Sequence, residues 1–164
     1  MKIFRCSALL ILLPFLISCG NDDSPERIRD TESNGRTIDP THTVEILTED
    51  RQETVAEVNV ALAQTENERN RGLMEVQEMD FDTGMYFIFE DERERSFWMV
   101  NTPLSLDIIY MDSNDRIVRI HTNTTPYSDR QIPSESPAQY VLEVNAGFVR
   151  EYDIREGMHV VLNQ

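Results

Sequence analysis

The sequence predicts a mainly-β protein, folded as a single-domain antiparallel β-sandwich or flattened barrel with one short helix. Three observations carry that prediction. About seven or eight short runs rich in Val, Ile, Tyr, Phe and Met recur over residues 43–164, separated by turn-forming clusters. Only the segment Thr65-Glu66-Asn67-Glu68 has the signature of a helix start, a capping box. The densest apolar run beyond the N-terminus, residues 97–111, breaks into two strand-like halves at Asn101-Thr102-Pro103.

The chain before residue 43 reads differently. Lys2 and Arg5 precede an apolar run over residues 6–17, too short to span a bilayer, so residues 1–18 read as a secretory signal peptide. The run ends Leu16-Ile17-Ser18-Cys19 with Gly20 next, which resembles a bacterial lipobox. In that pattern a small residue precedes the cut, and the cysteine thiol accepts the lipid. Cys19 is therefore the expected lipidation site, and the membrane is an expected partner through that anchor. Gly20 is not the aspartate that commonly retains such lipoproteins in the inner membrane, so resemblance favours an envelope lipoprotein of the outer membrane. Residues 19–42 carry almost no apolar side chains and read as a lipidated flexible tether. As a coil it would span about 25–30 Å on average.

Processing at Cys19 sharpens what the composition excludes. Cys6 leaves with the signal and Cys19 is acylated, so no thiol remains for a disulfide, a nucleophile or a thiolate metal site. The chain has 15 basic and 30 acidic residues; without Lys2 and Arg5 the balance is 13 against 30, a net −17. Such an acidic surface opposes nucleic acid, and no nucleic-acid partner is expected. Lys2 is the only lysine, so lysine Schiff-base chemistry leaves with the signal.

Within the domain, residues 43–47 and 55–63 read as two strands joined across 48–52. In the second, Val58, Val60 and Leu62 alternate with Glu57, Asn59 and Ala61, giving one buried and one wet face. Thr65 and Glu68 cap a helix over residues 66–71, ended by Gly72, and Leu73-Met74 then enter the core. Residues 84–89 form a bulky strand that a charged turn, 90–95, is expected to hairpin onto the central run. There Leu106, Ile108 and Tyr110 share one face, while Asp107, Ile109 and Met111 share the other. Both faces are largely apolar, which marks an interior strand covered on both sides, and Asp107 is out of place on it. Asp112-Ser113-Asn114-Asp115 turns into a strand at 117–121. A long polar loop, 122–137, precedes strands at 140–144 and 158–162, with a short turn or helix opening at Ala146-Gly147.

Several of these blocks carry a family resemblance. Thr65, Glu68-Arg69 and Gly72-Leu73-Met74 come first, followed by Gly84-Met85 with Phe87 and Phe89. Phe97-Trp98-Met99, Asn101-Thr102 and Leu106-Asp107-Ile108-Ile109 make a third block. Ser136-Pro137-Ala138, Tyr140-Val141-Leu142-Glu143 and Ala146-Gly147 make a fourth. In this order they resemble the domain-of-unknown-function 192 family across essentially the whole domain. The resemblance implies a compact β-sandwich-like fold, often behind a signal peptide or lipobox, and no established activity. Val100 stands where a basic residue is common in that family, and Ser105 where proline is common. A cysteine usual before the Ser-Pro-Ala block is absent.

The best polar cluster is Asn101, Thr102 and Asp107. It reads either as a ligand pocket or general base with an amide partner, or as a carboxylate that accepts hydrogen bonds from the Asn101–Thr102 turn. The second is preferred. Arg69 and Glu143 are supporting candidates, with Arg69 able to pair with Asp107 or Glu143. The six methionines past the signal and the three histidines fit no metal-ligand spacing and read as core and surface residues. No metal or cofactor is expected. A phosphate loop, a nucleophile elbow and a His-Glu metal helix are all missing from the sequence.

Two functional readings follow. One is a non-catalytic envelope module that binds a partner or small ligand from a lipid tether. The other is an enzyme acting on an envelope polymer with acidic residues such as Asp107 and Glu143. An enzyme needs a cleft holding a carboxylate with a raised pKa, whereas a binding module needs an exposed apolar or aromatic patch. The non-catalytic reading is preferred, and nothing in the sequence fixes an oligomeric state.

Overall fold

The computed structural model describes residues 35–163. The signal segment, Cys19 and the tether as far as residue 34 lie outside the described residues. Among those described, nine strands and two short helices follow in order. They are β1 (His42–Leu47), β2 (Thr54–Ala63), α1 (Glu66–Arg71), β3 (Thr83–Arg93), β4 (Ser96–Phe97), β5 (Leu106–Met111), β6 (Ile117–His121), β7 (Ile132–Pro133), β8 (Ala138–Asn145), α2 (Phe148–Glu151) and β9 (His159–Asn163). Seven strands form one sheet in the order β6-β5-β8-β3-β2-β1-β9, and β4 pairs with β7 alone. The protein is mainly β, as the periodicity predicts.

Three details differ from the expectation. The sheet is mixed, because β2 and β3 run parallel, Val60 beside Gly84 and Leu62 beside Tyr86. The chain between them contains α1 and is long enough for a crossover, so the capping box marks the middle of a strand–helix–strand unit. A second helix, α2, follows the left-handed Gly147 (φ 95°). Finally, the sheet curls without closing. Its outer strands β6 and β9 meet at an isolated Arg116–His159 bridge and through Ile117 N–H to the Met158 carbonyl at 2.7 Å.

The expected hairpin from β3 onto the central run does not form either. β3 pairs instead with β8, and the register breaks between Ile88 and Arg93. Ser96 and Phe97 turn away to pair with Pro133 and Ile132. The chain is held at this departure by Arg95, whose side chain is buried. Its Nε donates to the Ala138 carbonyl at 2.8 Å, and its guanidinium lies 3.6 Å from the centre of the Phe89 ring.

Two apolar cores lie on the two faces of the sheet. Val44, Ile46, Val58, Val60, Tyr86, Ile109, Met111, Leu142, Val144 and Val160 fill one side, together with Phe148, Val149 and Ile154 from α2 and the turn after it. Leu73, Val76, Phe87, Met99, Leu106, Ile108, Tyr110 and Val141 fill the other. Every residue of β5 is buried, because the period of two feeds its alternate side chains to both cores. Full burial of such aliphatic and aromatic side chains stabilises by about 1.5–3 kcal/mol each.

The N-terminal side of the domain begins before the strand expected at residue 43. Arg36 bridges Val76, and its guanidinium donates to the Gly72 and Met74 carbonyls at 2.7 and 2.9 Å.

Candidate functional site

α1 forms as its sequence dictates. The Glu68 amide donates to Thr65 Oγ1 at 3.3 Å, and the Glu68 carboxylate accepts from the Thr65 amide at 2.8 Å. Gly72 takes φ 43° and ends the helix, sending Leu73 into the core. The end of α1 thereby stands over β3 and forms one wall of a cleft of about 320 Å³. Phe87, Phe89, Phe97 and Trp98 supply aromatic surface to this cleft, and Thr102, Gln131 and Glu143 supply polar groups. Trp98, the chain's only tryptophan, is 51% exposed at its rim.

Glu143 differs from the other polar groups. It is on β8, between Met85 of β3 and Ile108 of β5, and is 4% exposed. No hydrogen bond or ion pair reaches its carboxyl from the described residues, and burial pushes its pKa up to about 8. Tyr110 hydroxyl, nearby on β5, donates to the Ile132 carbonyl at 2.6 Å. Burial first, and then the charge of Glu143, raise its pKa.

The predicted cluster is divided by the sheet. Asn101 and Thr102 share one turn, in which Asn101 takes φ 55°, a left-handed conformation that Asn tolerates better than most residues. Thr102 is buried and lines the cleft. Asp107 belongs to the opposite face, with Ile109 and Met111. Its donors are not the Asn101–Thr102 amides. Oδ1 accepts from Asn123 N–H at 2.9 Å, and Oδ2 accepts from Gly147 and Val149 N–H, both at 3.0 Å. One carboxylate thus caps α2 and pins the start of the long loop. The loop is pinned again by Thr124, whose Oγ1 accepts from Leu106 N–H at 3.0 Å, and by Ser105 Oγ, which donates to the Thr124 carbonyl at 2.7 Å.

Arg69 pairs with neither Asp107 nor Glu143. Its guanidinium donates to the Gln64 and Ile88 carbonyls and lies 5.0 Å from the centre of the Phe89 ring. Among the described residues no three His, Cys, Asp or Glu side chains gather as a metal site, and no helix is long and apolar enough to cross a membrane.

The cleft and its aromatic walls were not assembled by sequence reasoning. One signal was available: Glu143 interrupts an apolar strand as Asp107 does, Tyr-Val-Leu-Glu-Val against Leu-Asp-Ile-Ile-Tyr. The contribution of Trp98 and Gln131 depends on the turn away from the sheet at Arg95 and carried no local signal.

Fold and cleft define, among the described residues, a curled mixed-sheet domain with an aromatic-walled cleft on the Glu143 face of its sheet. The chain belongs to the family DUF192, described as "Uncharacterized ACR", whose model matches residues 46–162. A crystal structure from Sinorhizobium meliloti 1021, described as a candidate transcription regulator, is similar at 34% identity and TM-score 0.71, covering 77% of this chain and 98% of that one. A protein of unknown function from Novosphingobium aromaticivorans DSM 12444 is similar at 29% identity and TM-score 0.69, covering 76% and 91%. No curated protein matches the chain.

Proposed function

We propose that this protein is a non-catalytic binding module of the cell envelope, held at the outer membrane by a lipid on Cys19, with the cleft beside α1 as its ligand site. The observation that carries the binding reading is the cleft itself: four aromatic side chains around one buried, unpartnered carboxylate. Aromatic walls beside convergent polar groups, here Thr102, Gln131, Glu143 and the arginines Arg69 and Arg71 of α1, are a usual make-up of a small-molecule site. The lipid anchor rests on the lipobox-like Leu16-Ile17-Ser18-Cys19 sequence. A raised carboxylate in a cleft also suits an acid catalyst, and that second reading now falls on Glu143. Asp107 is unsuited to join it, because its oxygens are taken by three backbone amides on the far face. A role on DNA, suggested by the name of the Sinorhizobium meliloti relative, is opposed by the net charge of −15.

The test uses the full chain in non-ionic detergent, incubated with small molecules from envelope extract, washed, and analysed by mass spectrometry. A Ser96→Trp variant blocks the cleft from an exposed position on β4. A compound retained by the native chain and lost by the variant supports the cleft. Equal retention by both, or retention of nothing, contradicts it, and chemical conversion of the retained compound would favour the catalytic reading. For the anchor, Cys19→Ala should leave the membrane fraction or remain unprocessed. Unchanged fractionation with normal processing would end the lipoprotein reading.

A further inference from the structure

The chemistry of the cleft narrows its occupant. Glu143 is buried at the cleft without a protein partner among the described residues, and although Arg69 and Arg71 also line the cleft, neither pairs with it. Arg69 is held by two backbone carbonyls, Arg36 by two more, and Arg71 lies 3.8 Å from the Glu75 carboxylate. The strand neighbours of Glu143, Met85 and Ile108, carry no charge. Tyr110 hydroxyl is committed to Ile132, and His121 packs edge-on against that ring at 6.1 Å. Thr102 and Gln131 are neutral. A carboxyl that reaches an open cleft with no protein partner is met there by water, a proton or a cation from outside.

The walls prefer the cation. Aromatic faces attract positive charge, and Phe89 already holds two guanidinium groups, those of Arg95 and Arg69. Phe97 and Trp98 extend the same surface towards the opening. The net charge of −15 enriches cations near the surface. The volume of about 320 Å³ suits a small molecule rather than a polymer segment.

We infer that the cleft takes a small free organic cation, an amine or quaternary ammonium on a short apolar body, with its charge against Glu143 and its body on Phe97 and Trp98. This rests on the cleft being a ligand site, as proposed above. Binding displaces the proton that Glu143 holds at neutral pH, so a permanently charged ligand binds more tightly as pH rises towards 9.

Trp98 fluorescence of the full chain in non-ionic detergent provides the readout. The probes are benzyltrimethylammonium, its neutral carbon isostere neopentylbenzene, and the anion phenylacetate. The cation should bind at least about tenfold more tightly than either other probe. Its affinity should rise about tenfold from pH 7 to pH 9, as the fraction of ionised Glu143 grows. Glu143→Gln, nearly the same shape, should cut the cation's affinity about tenfold at pH 9, leaving only the walls' own preference, and remove the pH dependence. Equal or tighter binding of the neutral or anionic probe, falling affinity at high pH, or cation binding unchanged in Glu143→Gln would overturn the inference while leaving a ligand cleft. No response to any probe would count against the cleft as well. Displacement of the bound cation by phosphatidylcholine supplied in mixed micelles of the same detergent would assign the charge to a lipid headgroup and overturn the free-molecule assignment.

Discussion

Asp107 and Glu143 are buried carboxylates on adjacent strands, yet they face opposite sides of one sheet and live in opposite conditions. Asp107 is fully buried and its two oxygens accept three backbone N–H bonds. Glu143 is nearly as buried and accepts none from the described residues. The first is a carboxylate that the fold uses to join α2 and the long loop to β5. The second has no structural task that would offset its desolvation. A residue that costs stability and stabilises no neighbour is what the proposed ligand site would explain.

The largest effect that tests this contrast comes from Asp107. Asp107→Ala leaves the buried Val149 amide and the part-buried Gly147 and Asn123 amides without their acceptor. At about 1–3 kcal/mol for a buried group and less for the other two, a loss of about 3–5 kcal/mol is expected in a urea titration. Asp107→Asn keeps one acceptor oxygen and should lose clearly less. Any binding in the cleft should fall only as folding falls. A stable Asn variant without binding would move Asp107 from architecture to the site.

Glu143 should give a pH dependence of the opposite origin. Its folded pKa, about 8, is above the value of about 4.3 for an unperturbed glutamate. The unfolded chain therefore ionises Glu143 first, and stability declines as pH rises between those values, then levels above about 8. The decline should be about 3–4 kcal/mol across pH 5–8, and Glu143→Gln should be free of it. A native chain whose Glu143-dependent stability is flat over this window would mean that the carboxyl has a partner.

The smallest effect compares the two helix caps. Asp107 caps α2 from within the core, whereas Thr65 caps α1 from an exposed position. Thr65→Ala should cost about 0.5–2 kcal/mol and loosen the α1 wall of the cleft without disturbing the Asp107 network. A loss as large as that of Asp107→Ala would mean that α1 supports far more of the fold than its six exposed or half-buried residues indicate.

What was legible in the sequence was local. The alternation in residues 106–111 gave a strand buried on both faces, and Thr65 with Glu68 and Gly72 gave both ends of α1. The parallel partner of β2 was not legible, because pairing across the α1 crossover depends on where the chain returns rather than on any residue pattern. The donors to Asp107 were missed for a similar reason: Asn123 and Gly147 are distant in sequence and supply only backbone amides, which no side-chain pattern announces. Asn101 and Thr102 are near Asp107 along the chain, but the period of two and the intervening turn send them to a different face. Glu143 was visible as a charge in an apolar strand. Its lack of a partner became visible only when Arg69 proved to be held by Gln64 and Ile88 carbonyls and the Phe89 ring.

The central claim is that Glu143 is an unpaired carboxylate facing a ligand cleft, and its own titration tests this most directly. Isotope-edited infrared spectra of the full chain, with Glu143→Gln subtracted, would follow that one carboxyl from pH 4 to pH 10. The account predicts a protonated band that persists to neutrality, converts with a midpoint near 8, and shifts to lower pH when benzyltrimethylammonium is added. A midpoint in the ordinary carboxylate range, indifferent to the added cation, would contradict it.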